Sequence, residues 1–78
     1  MTIDLRELAA RLRTWGTGMQ LAATTSTNTA DAAEFARYAR EMEDAAVWCV
    51  AAAVRLDNAA ARMRRAQQAR RDLHAVLR

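Results

Sequence analysis

Arg55-Leu56-Asp57-Asn58 is the stretch on which the fold turns. If Asp57 or Asn58 caps a new helix, its side-chain oxygen taking up the free amides of a first turn, the chain is a compact antiparallel three-helix bundle. Its helices would then run 4–23, 31–56 and 59–77, with a turn near 56–58. If neither residue caps, the same four residues are the middle of one long helix, and the chain is a hairpin with unequal arms. Two features favour the long helix. No glycine or proline marks a stop in this region. In addition, Phe35, Tyr38, Met42, Ala45, Cys49, Ala52, Leu56, Ala59, Met63, Ala66, Arg70, Leu73 and Leu77 keep alternating spacings of 3 and 4 straight through it, with only Arg70 breaking the apolar character. A turn gives no reason for the phase to be preserved. The reading is one helix over about 31–77, roughly 70 Å long at ~1.5 Å per residue.

Directly upstream lies Ala45-Ala46-Val47-Trp48-Cys49-Val50-Ala51-Ala52-Ala53-Val54, ten residues without a polar side chain. A helix apolar on every side has to be covered on every side. The run is too short for a bilayer, which takes ~17–25 apolar residues, and Asp44 and Arg55 close it. It reads as a buried core segment. A second stripe, Ala32, Ala39, Ala46, Ala53 and Ala60, widens the apolar face and then gives way to Gln67 and His74.

Towards the N-terminus, Asp4-Leu5-Arg6-Glu7 is an acidic cap followed three residues later by glutamate, with Thr2 as the alternative cap. Leu5, Leu8, Leu12, Trp15, Met19 and Ala22 follow at helical spacing and read as a and d positions of a short helix over about 4–23. Beside them Ala9, Gly16 and Ala23 form a shallow strip that admits a close neighbour. Gly16 and Gly18 each cost ~1 kcal/mol of helix propensity and mark a place to kink or stop. Thr24-Thr25-Ser26-Thr27-Asn28-Thr29 is a polar loop, whose short side chains compete for backbone hydrogen bonds and whose Asn28 or Thr29 can cap the next helix.

Folding back across that loop sets residues whose numbers sum to about 54 side by side: Met19 by Phe35, Leu12 by Met42, Leu5 by Cys49. The short helix then ends near residue 52. Everything after it lacks cover from its own chain, and 45–54 is shielded on one side only. The fold class expected is therefore all-α: a helical hairpin, a single domain over 1–78, that assembles as an oligomeric helical bundle or coiled coil, with a dimer the first expectation. The assembly interface is assigned to Trp48, Cys49, Ala52, Leu56, Met63, Leu73 and Leu77.

Composition supports these limits. Of 78 residues 20 are alanine, none is proline and only two are glycine, a strongly helical bias. A chain of this size buries too little to be comfortable alone, and one cysteine and one histidine build neither an intrachain disulfide nor a zinc site. The lone thiol fits a reducing, cytoplasmic setting, and Asp4, Arg6 and Glu7 interrupt the only candidate for a secretion signal.

No catalytic constellation stands out. On a straight helix Cys49 and His74 lie roughly 40 Å apart, Glu34, Glu41, Glu43 and Asp44 lack the Glu-x-x-His spacing of carboxylate-bridged metal sites, and Trp15-Gly16-Thr17-Gly18 follows no strand and matches no phosphate loop. No enzyme activity, cofactor, metal, small-molecule substrate or membrane is expected. Charge is asymmetric: residues 31–54 carry −3, and residues 55–78 carry +5 from seven arginines against Asp57 and Asp72. Arg64, Arg65, Arg71 and Arg78 point away from the apolar stripe, with Arg55 and Arg62 at its edge.

Arg62, Arg64, Arg65, Arg70 and Arg71 are accordingly assigned to an anionic partner, a protein with an acidic surface or nucleic acid. The functional expectation is a small non-enzymatic protein that self-associates and binds a macromolecule, in the manner of an inhibitor or adaptor of a larger complex. The alternative is a nucleic-acid-binding protein that sets its arginine-rich helix on phosphates.

Overall fold

Asp4 starts the first helix as its position suggests: one carboxylate oxygen accepts from the backbone N–H of Arg6 at 3.0 Å and of Glu7 at 3.2 Å. Glu7 does not complete a reciprocal box; it pairs with Arg11 at 2.9 Å instead. In a computed structural model that describes residues 3–77, this helix, α1, spans Leu5–Thr25, and a second, α2, spans Thr29–Leu77. No strand occurs among the described residues, and Thr2 and Arg78 lie outside them.

Two local expectations need correction. α1 passes through Gly16 and Gly18 without a break and continues through Thr24 and Thr25, so the connection is only Ser26-Thr27-Asn28. The threonines extend the helix because their hydroxyls turn back onto its last carbonyls: both donate to the Leu21 oxygen at 2.9 Å. Asn28 then caps α2, its side-chain oxygen accepting from Ala30 N–H at 2.9 Å and Asp31 N–H at 3.2 Å. α2 therefore begins two residues before Asp31.

The decisive stretch 55–58 is helical throughout, within an uninterrupted helix of 49 residues. The turn near 56–58 does not form, and the three-helix bundle is replaced by a hairpin 76 Å long and 18 by 15 Å across. Asp57 caps nothing; its carboxylate reaches across the hairpin to the Arg6 guanidinium at 2.8 Å.

The seam between the helices is rotated from the expected a/d stripes towards the strip of small residues. Ala9 of α1 and Ala39, Ala46, Cys49 and Ala53 of α2 are the buried residues, with Leu5, Leu12 and Val50 packed around them. Trp15, expected at the seam, is 58% exposed, and Leu8 is partly exposed. Gly16 supplies the reason. A Cβ built on it would stand 3.5 Å from the backbone oxygen of Ala39 and 3.6 Å from the Met42 Cβ, so the two backbones approach closely where side chains are smallest. Bulky residues cannot occupy that line and are turned to the flanks.

This packing makes two opposite predictions for small substitutions. Ala46→Leu overfills the seam and should cost about 2 kcal/mol. Gly18→Ala, where nothing stands within 4 Å of the added methyl, should gain about 1 kcal/mol through helix propensity. Urea unfolding followed by circular dichroism at one protein concentration checks both; equal effects of the same sign would contradict the seam.

Candidate assembly face and arginine arm

The hairpin has two unlike flanks. On one, Arg6 meets Asp57 at 2.8 Å and Arg13 meets Glu43 at 3.7 Å across the helices. These pairs are solvent-exposed and contribute at most about 1 kcal/mol each, but they fix which side is polar. Helical spacing puts Leu8 and Trp15 of α1 and Tyr38, Ala45 and Ala52 of α2 on the other flank, with Trp48 one position further round. Tyr38 is held by its hydroxyl donating to Glu34 at 2.8 Å, with the Arg37 guanidinium 5.2 Å above its ring.

Along 45–54 the cover is one-sided. Ala46, Cys49 and Ala53 are buried against α1, whereas Val47, Trp48, Ala51 and Val54 are exposed, Trp48 at 63%. Beyond Ala53 the seam continues along α2 without a facing helix: Leu56 and Met63 are 62% and 65% exposed, and Leu73 and Leu77 are exposed as well.

Of the residues assigned to assembly, Trp48, Leu56, Met63, Leu73 and Leu77 stand open, Ala52 is half-buried, and Cys49 belongs to the interior of the hairpin. Val47 and Val54, in the run shielded on one side only, join the open apolar surface, as do Leu8 and Trp15, which the sequence placed at the seam. The signal that could have moved Leu8 and Trp15 is the Ala9, Gly16, Ala23 strip, which displaces its bulky neighbours from the seam.

Arg62, Arg64, Arg65, Arg70 and Arg71 are all exposed, and among the described residues none forms an ion pair. Arg70, Arg71, His74 and Ala75 line a shallow groove near the end of α2. Arg64 and Arg71 share one heptad position and Arg65 lies beside them, so these three point outward, while Arg62 borders the apolar stripe and Arg70 interrupts it.

Among the described residues no three His, Cys, Asp or Glu side chains gather as metal ligands, and no helix is long and apolar enough to cross a membrane. No protein-family model, no curated protein and no solved structure matches this chain.

The burial of Cys49 in the α1–α2 seam gives a direct check on the hairpin. Its thiol should react with a chromogenic disulfide reagent at least tenfold more slowly in buffer than in 6 M guanidinium, and Ala46→Leu should speed the native reaction by loosening the seam. An immediate native reaction would place Cys49 outside the seam.

Proposed function

We propose that this chain is a small non-enzymatic assembly module: it self-associates through the apolar stripe of α2 and presents its arginine arm to a macromolecular partner. The observation that carries this reading is the mismatch of the two helices. α1 has 21 residues and α2 has 49, so the apolar positions Leu56, Met63, Leu73 and Leu77 have no cover from their own chain. Large apolar side chains repeated at helical spacing on an open face are the surface that another helix covers. Docking onto a larger protein as an inhibitor or adaptor would use the same stripe, with the arginines matched to an acidic surface.

The native mass in solution tests it. Sedimentation at micromolar concentration should give two or more copies, and Leu56→Asp together with Met63→Asp should weaken association at least tenfold without unfolding α1 against α2. A compact monomer at that concentration overturns self-association.

The exposed, unpaired arginines favour a second reading, sequence-independent binding to the phosphates of a duplex. It predicts affinity that falls steeply with salt, and a log–log salt slope that drops by about 2 on Arg64→Ala plus Arg65→Ala. Binding insensitive to salt removes this reading. A stoichiometric protein complex that survives nuclease treatment supports the adaptor role instead.

A further inference from the structure

One edge of α2 carries Glu34, Glu41, Trp48, Arg55 and Arg62, each seven residues after the last. Because α2 is unbroken from Thr29 to Leu77, these five follow one edge of the helix, which drifts about 20° per heptad on a straight helix and becomes a continuous line when two helices supercoil, and all five are exposed. The order is acidic, acidic, aromatic, basic, basic: it changes sign about Trp48. Such a line is complementary to itself when reversed. We infer that a second copy of this chain docks on it antiparallel, the two-fold axis passing at Trp48 so that Glu34 faces Arg62 and Glu41 faces Arg55 of the other copy. This rests on the self-association proposed above and specifies its geometry.

A two-fold interface uses the same patch on both copies, so each of these pairs occurs twice, four in all. None of these groups has a partner across the hairpin among the described residues. Arg55 and Arg62 have no ion pair among the described residues, Glu41 meets Arg37 only at 3.9 Å, and Glu34 meets Arg37 at 3.7 Å and accepts the Tyr38 hydroxyl at 2.8 Å, which leaves its second oxygen free. At the axis the two Trp48 rings come together between Ala45 and Ala52, which are small enough to let the helices close around them.

The alternatives are worse electrostatically. A parallel pair sets Glu34 on Glu34 and Arg62 on Arg62. Overlapping only the arms sets arginine-rich segments, +5 over 55–78, against each other. In the antiparallel register residues whose numbers sum to about 96 are level, so residues 55–67 of one chain's arm lie along the acidic start of the other's α2, which begins at Thr29, and Leu73 and Leu77 extend past the tip of that hairpin. Leu56 of the arm comes level with Trp15 on the open flank of the hairpin. Each end of the dimer is then a three-helix unit of α1, the first half of α2 and the second copy's arm, so the third helix that Asp57 does not start is supplied by the other chain.

Spin labels on single cysteines in a Cys49→Ala background read this geometry. With Ala51→Cys, three residues from the axis, the two labels of a dimer should be close. With Ala69→Cys, 21 residues from it, they should stand about 60 Å apart at ~1.5 Å per residue. Short distances at both sites indicate a parallel pair, and a long distance at 51 with a short one at 69 indicates arm-to-arm overlap; either overturns the inference while leaving self-association intact. In the wild-type cysteine context, Glu41→Arg and Arg55→Glu should each weaken the dimer about tenfold or more, and the double variant should restore it. Failure of the double variant to recover also overturns the pairing. A monomeric wild type overturns self-association itself.

Discussion

The structure depends on how closely α1 can approach α2. Ala9 and Gly16 on one helix and Ala39, Ala46 and Ala53 on the other leave so little between the backbones that the contact is made by methyl groups and main chain. Dispersion between well-fitted surfaces is favourable at this range, yet no buried side chain is larger than that of Cys49. The hairpin is therefore held by fit over a long seam and has little apolar volume inside. The larger apolar side chains, excluded from the narrow line, are left on the flanks or on the arm. What would be the core of a bigger domain is here the surface available to a second molecule.

That constraint also explains why the length mismatch matters. A thin seam along 21 residues of α1 cannot pin the remainder of α2, and a helix in water draws most of its stability from packing of its apolar face. Alanine, arginine, leucine and glutamine give residues 59–77 a high intrinsic helix propensity. Propensity keeps the arm helical; it does not account for leucine and methionine at a regular interval along it. Under the self-association proposed above, a second chain covers Leu56 and Met63.

Much of this was legible in the sequence. The heptad phase carried unshifted through 55–58 identified α2 as one helix, and Asp4 and Asn28 stood among the candidate caps because a capping oxygen comes from a small set of residue types. The rotation of the seam was less accessible. Leucine and tryptophan at 8 and 15 have the stronger apolar pattern, and a pattern based on hydrophobicity ranks them above Ala9 and Gly16. Packing inverts that ranking, since the distance of closest approach is set by the smallest residues. Thr24 and Thr25 were misleading for a related reason. Their hydroxyls compete with a helix in general, but here they turn back onto the Leu21 carbonyl one turn earlier and leave the helical backbone intact to Thr25.

The arginines of the arm divide by heptad position, and the division separates two roles that are easily confused. Arg55 and Arg62 share an edge with Glu34, Glu41 and Trp48, where charge reads as part of helix pairing. Arg64, Arg65 and Arg71 point away from the apolar stripe and are exposed, and Arg64 and Arg71 lie on the side of α2 turned away from the line through Trp48. An anionic partner would meet those three after assembly, with the guanidinium geometry suited to carboxylate or phosphate oxygens. Under the antiparallel pairing inferred above, self-association and partner binding would not compete for one basic segment. They would draw on different faces of the same helix, and the pairing would carry the free arginine ridges to opposite ends of the assembly, where they could engage two sites on one extended partner.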